Sequence, residues 1–250
     1  MEPIRTIDQV IAELDAIIQE NINQNNPLGY FAALYRAVTI KVKAGIAEGY
    51  FDEGPRMERL DVIFALRYID AYRHFQHAET ITASWSIAFE SAAVHHLIVL
   101  QHLLLGMNGH INLDLGIAAV EVMQGQDLTA LKNDFDKINT ILAELVGKVQ
   151  KDLAEIWPTL GWILRYTGRV DDFLINFSME LARDGAWKFA QALADTPAGA
   201  QPAFIATRDQ KVARNANIVL HPGFVASTIF RIIRRFERGT VATRIEALLH

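Results

Sequence analysis

The chain has 250 residues, 51% of them hydrophobic and 21% charged, and a net charge of -5. That is enough apolar material for a substantial core, which excludes an intrinsically disordered chain, and the acidic balance offers nucleic acid no overall attraction. Cysteine is absent, so disulfides, thiolate catalysis and Cys-ligated zinc are excluded, in keeping with a cytoplasmic setting.

Helical spacing dominates and no segment alternates with period two. The N-terminus, MEPIRTIDQVIAELD, lacks the basic-then-apolar order of a signal peptide. A first helix is expected after Thr6, with Val10, Leu14, Ile17 and Ile18 as its stripe, broken by the NINQNNP segment. A second runs over about 28–47 and is closed by GYFDEGP. Pro55 suits the start of a third, PRMERLDVIFALRYIDAYRHFQ. Ser84 or Ser86 opens the next, which leads toward the apolar run Leu97–Met107. That run is interrupted by Gln101 and His102 and is too short to span a bilayer. Gly106 and Gly109 predict a kink or short turn there.

Asp127 has the position of a cap for a long helix ending near Trp157, and residues 170–194 form another. Thr196–Pro202, TPAGAQP, is the best linker, followed by two helices separated by His221-Pro222-Gly223. The expected architecture is all-α, a single compact bundle of roughly eight to ten helices, with 203–250 as a candidate C-terminal helical subdomain. Residues 201–250 carry eight Arg/Lys against three Asp/Glu. The stripe Arg231, Arg234, Arg235 and Arg238 beside Phe230, Ile233 and Phe236 allows a peripheral membrane role, but packing against an acidic bundle is the favoured reading.

The chemistry-bearing residues concentrate in His95–Gly116, HHLIVLQHLLLGMNGHINLDLG. Polar groups in so apolar a segment need hydrogen bonds, charges or a metal when they lose water. His110 and Asp114, at i, i+4, are the best pair for a shared cation. His102 joins them as a third ligand only if the glycines bend the segment. His95 and His96 point different ways and read as support, and His221 as a lone structural histidine. On the third helix Arg67, Asp70 and His74 can form one ladder. Asp70 is the preferred extra ligand or general base and Asp61 the second choice, because Asp61, nine residues earlier, falls roughly opposite and reads first as solvated. His74 and His77 are expected in solvent. Trp85 reads as core or pocket wall. Gln101, Asn108 and Asn112, with Arg67, are placed to orient an anionic or carbonyl substrate.

ERLDVIFALRYIDAY (58–72), SWSIAFESA (84–92) and LQHLLLGMNGHINLDLG (100–116) resemble the motifs of the bacterial DUF5995 family, most strongly over about 57–116. The family motif has alanine where this chain has Gly109. The resemblance implies that Asp61, Arg67, Asp70, Trp85, Gln101, His102, Asn108, His110, Asn112 and Asp114 are motif positions, and it implies no activity. No P-loop, GxGxxG, GxSxG or HExxH signature is present. The reading carried forward is a helical protein with a His/Asp site holding zinc, iron or manganese and hydrolysing a small molecule or ester. Its alternatives are a non-catalytic small-molecule or lipid-binding module, and a structural or homo-oligomeric protein with a buried polar network.

Overall fold

The structure, a computed structural model, describes residues 3–138, 140–141 and 179–249, which hold ten α-helices of stated bounds, a further helical stretch from residue 132, and no strand. The helices are α1 (Ile7–Gln24), α2 (Gly29–Ala47), α3 (Gly54–Gln76), α4 (Ala83–Glu90), α5 (Val99–Gly109), α6 (Leu115–Val122), α7 (Met179–Ala194), α8 (Gln201–Leu220), α9 (Gly223–Phe236) and α10 (Val241–Ala247). The all-α expectation holds. The starts are where local chemistry puts them: Thr6 and Gln9 form a reciprocal capping box on α1, and Pro55 occupies the first turn of α3. Asp127 accepts from Thr129 N at 2.9 Å and opens a short 3-10 turn leading into helical residues 132–138. The expected continuation to Trp157 lies outside the described residues.

The histidine segment departs from expectation. It does not break into a turn at its glycines. α5 and α6 are one continuous 24-residue helix, Val99–Val122, joined by a single π-helical turn at His110–Asp114. The glycines serve packing instead. A Cβ on Gly106 would fall on the ring of Phe31 from α2, and one on Gly116 on the ring of Phe189 from α7. This helix is long and apolar enough to cross a membrane by length and composition, and 83% of its most apolar stretch is buried inside the bundle.

The core wraps around that column. Leu103, Leu104 and Leu105 pack with Leu14 and Ile17 of α1, Tyr30 and Phe31 of α2, and Tyr68 and Ile69 of α3. Ile111, Leu115 and Ala119 pack with Met57 and Leu60 of α3, Phe135, and Trp187 of α7.

Three helix starts are completed from far along the chain. Asp134 accepts from Asp52 N at 2.7 Å and Glu53 N at 3.2 Å at the head of α3, and pairs with Arg56 at 2.8 Å. Asp209 of α8 takes Ala83 N at 2.7 Å and Ser84 N at 2.9 Å at the head of α4. Glu237 takes Val99 N at 2.9 Å at the head of α5. Each carboxylate meets the free amides and positive end of a helix. Glu237 also gathers Arg234 and Arg244. The basic C-terminal segment therefore packs on the bundle, with Phe230 and Ile233 buried, although Phe236 is half exposed.

The two glycines of α5 make a local test. Gly106→Ala should cost about 1–3 kcal/mol, as overpacking against a buried ring does. Gly109→Ala should be neutral or stabilising by up to about 1 kcal/mol, because its Cβ would sit 3.6 Å from Trp85, an ordinary contact, in helical backbone. Thermal melts of the two variants check this; equal losses would contradict the packing assignment.

Candidate functional site

The π turn places His110 and Asp114 on the buried side of the central helix, facing α3 and α4. A π turn takes one more residue than an α turn and is frequent where side chains have a task. Asp114 Oδ1 accepts from Arg67 Nε at 3.1 Å, and its Oδ2 accepts from Trp85 Nε1 at 2.8 Å. His110 Nδ1 also approaches Oδ2, at 3.3 Å. With Asp114 as acceptor, Nδ1 carries the ring hydrogen and Nε2 of the neutral ring is left as a bare acceptor.

His110 sits in an aromatic box. Phe64 stacks on it with centroids 3.6 Å apart and planes 8° apart, and Tyr35 meets it edge-on at 4.5 Å. Tyr68 lies 6.2 Å from it, and Trp85 6.0 Å. Burial pushes the His110 pKa down, a shift that Asp114 opposes, so the ring stays neutral near pH 7.

Four polar atoms in this region are buried without a hydrogen-bond partner: His110 Nε2, Tyr35 Oη, Tyr68 Oη and Asp61 Oδ2. Asp61, Phe64 and Tyr68 follow at i, i+3 and i+7 along one face of α3, and the charge of Asp61 bears on the Tyr35 hydroxyl. Thr39, beside Tyr35, gives its hydroxyl to the Tyr35 carbonyl at 3.0 Å. Burial raises the Asp61 carboxyl to about 8, with the charge of Glu58 adding to the effect. Both tyrosine hydroxyls are also shifted upward, first of all by burial.

Other expected positions fall elsewhere. Asp61 is inside, not solvated, and Asp70 is outside, with its side chain 54% exposed and a long 3.8 Å contact to Arg73. The two do lie on opposite faces of α3, but the inward one is Asp61. Arg67 accordingly pairs with Asp114 and does not join a ladder with Asp70 and His74, whose partner is Glu79 at 3.6 Å. His102 does not converge with His110 and Asp114. Eight residues of continuous helix set it about 12 Å away along the axis, where its Nδ1 meets Ser91 Oγ at 3.3 Å and Tyr30 packs beside it. Burial depresses the His102 pKa to about 4. Among the described residues no three His, Cys, Asp or Glu side chains are grouped as a metal ion would need.

Gln101 and Asn108 use their amides to staple α5 to α8. Gln101 Nε2 donates to the Val219 carbonyl at 2.8 Å and Asn108 Nδ2 to that of Val212 at 2.9 Å, while Asn112 donates to Asn108 at 3.2 Å. His95, His96 and His221 are exposed. The residues that sequence reasoning missed are Tyr35, Phe64 and Tyr68. Tyr68 shares the face of Asp61, and that i, i+7 repeat is the signal that could have found it.

No curated protein and no solved structure matches the chain. A model of a family of unknown function, DUF5995, matches residues 7–222, well beyond the 57–116 stretch where the motif resemblance is strongest. The match takes in α1 through α8 and with them the whole His110–Asp114 site, so the chain belongs to the DUF5995 family.

Proposed function

We propose that this protein binds a small uncharged polar molecule in the bundle interior, against His110 Nε2, with the Tyr35, Tyr68 and Asp61 side chains completing its hydrogen bonds. The observation that carries the reading is the set of buried polar atoms without partners: His110 Nε2, the hydroxyls of Tyr35 and Tyr68, whose rings flank it, and Asp61 Oδ2 on the same face of α3 as Tyr68. Each such atom costs about 1–3 kcal/mol while unsatisfied, so a fold that retains them is suited to something that fills them. His110 Nε2 accepts; the two phenols and a protonated Asp61 donate. A hydroxyl compound, or a carbonyl compound that also carries an O–H or N–H, meets both requirements.

We propose hydrolysis as the reaction this arrangement would support. Asp114 orients His110 through Nδ1, so Nε2 can take a proton from a hydroxyl or water, and the imidazolium then formed is stabilised by Asp114. In this reading Arg67 and Trp85 position Asp114 and do not touch the ligand.

The test is native mass spectrometry with metal analysis of protein purified without an affinity tag. An organic adduct at one per chain is expected from the wild type. Tyr35→Phe and Tyr68→Phe should lose the adduct and melt below the loaded wild type but no lower than wild type stripped of its adduct, because each removes a hydroxyl that only the ligand satisfies and keeps the ring. Adduct retention by both variants, or no adduct and no binder in a screen of small alcohols and esters, would overturn the proposal. Zinc, iron or manganese at one per chain would replace it with metal-assisted hydrolysis at the same histidine.

A further inference from the structure

A second site lies on the far side of the π turn. α7 and α8 frame an open surface groove of about 470 Å³ whose lining includes Lys188, Phe189, Phe204, Arg208, Lys211 and Arg214 and no carboxylate. Phe204, Arg208, Lys211 and Arg214 follow at i, i+4, i+7 and i+10 on α8, so one stripe of that helix carries three cations and a ring. Lys188 and Phe189 face them from α7.

Elsewhere the partly buried cations are matched: Arg56 with Asp134, Arg67 with Asp114, Arg244 with Glu237. Among the described residues Lys188, Arg208, Lys211 and Arg214 have no acidic partner. Arg208 is also fixed in place. Its Nε donates to the Asn112 carbonyl at 2.8 Å, one of its terminal nitrogens reaches the Gly185 carbonyl at 3.4 Å, and its guanidinium lies 5.0 Å from the centre of the Phe189 ring. Burial works against the charge on Arg208, and nothing anionic in the lining offsets it. The Phe189 and Phe204 rings stack at 5.7 Å and 16°, and Phe204 keeps 36% of its surface exposed at the edge of the groove.

From this juxtaposition we infer that the α7–α8 groove binds a small phosphorylated molecule that carries a flat ring, the phosphate among the four cations and the ring on Phe204. Four positive charges around one opening suit a dianionic phosphate better than a single carboxylate, and the fixed arginine fork matches its oxygens. An aromatic platform beside the cations selects a planar group by stacking. This site is separate from the His110 site, and its test does not depend on that reading.

Adenosine monophosphate, adenosine and inorganic phosphate are the probes, titrated calorimetrically into the full chain. Saturable one-to-one binding of adenosine monophosphate is expected, with adenosine and phosphate each weaker. Lys211→Gln with Arg214→Gln, both at exposed positions, should weaken it about 10-fold or more, the equivalent of about one charge-assisted hydrogen bond. Phe204→Ala should weaken adenosine monophosphate and leave inorganic phosphate unchanged. Circular dichroism confirms that the variants fold. No saturation by about 1 mM, a millimolar affinity being the weakest that counts as a site, would overturn the inference. So would equal affinity in the double variant, or phosphate binding as tightly as the nucleotide. Affinity for an RNA oligomer that rises with its length, without nucleotide saturation, would assign the stripe to nucleic acid instead.

Discussion

Between pH 6.5 and 8 the protein is expected to lose stability as the pH rises, and Asp61→Asn is expected to abolish that loss. The folded Asp61 carboxyl titrates at about 8 against 3.8 when solvated, so the folded state holds a proton that the unfolded state has released. A carboxyl raised in this way contributes stability that is fully present below pH 3.8 and is gone once the pH passes 8. The slope in mid-window is roughly 1 kcal/mol per pH unit, one proton's worth. His102 and His110 shift the other way. Their folded pKa values lie below the ordinary 6.5, so their contribution is present above 6.5 and is lost as the pH falls, through about 4 for His102. The histidines thus oppose Asp61 below pH 6.5 and leave it unopposed above. Urea melts of the wild type and Asp61→Asn at half-unit steps from pH 5 to pH 9, each value an experimental setting on about the range these shifts span, separate the contributions. Parallel curves for the two proteins would show that Asp61 is solvated.

Asp114→Ala should be the most damaging single change at the site, costing about 3–5 kcal/mol, as removal of one partner from a buried ion pair does. In a chain of this size that lowers Tm by about 10 °C. Asp114 is 1% exposed and is shared by Arg67, Trp85 and His110. Arg67 keeps about a third of its side chain in solvent and can turn to water. The indole N–H of Trp85 has no such escape, and Nδ1 of His110 loses the partner that sets its tautomer. The matching change on the outer face, Asp70→Ala, should move Tm by less than about 2 °C, in line with about 0.5 kcal/mol for an exposed pair. The Trp85 indole proton resonance reports the lost bond directly. A loss below about 1 kcal/mol for Asp114→Ala would mean that the network is not built around this carboxylate.

The fold was legible in the chain because its cues are local. Thr6, Pro55, and the apolar spacing of α1 and α3 fix helix starts and inward faces without reference to distant residues. His110 with Asp114 was legible for the same reason: four residues along a helix bring side chains together even through a π turn. What failed was long-range or depended on phase. The inward choice between Asp61 and Asp70 is set by where α2 and the π turn pack against α3, and the polarity of the two residues is identical. Glycine in α5 looked like a hinge because its cost to a helix is local, whereas the reason for Gly106 is the Phe31 ring arriving from another helix. His102 was grouped with His110 on that supposed hinge, and the continuous helix parts them.

The borrowed helix caps carry a consequence for how the chain reaches its native state. The amides that open α3, α4 and α5 are satisfied by carboxylates about 80, 125 and 138 residues further on. Closing loops of that length precedes the gain from those bonds, which slows folding and couples early and late parts of the chain. The first turn of α3 should therefore gain protection from amide exchange only when Asp134 docks, that of α4 only when α8 docks, and that of α5 only with the Arg234–Glu237–Arg244 cluster.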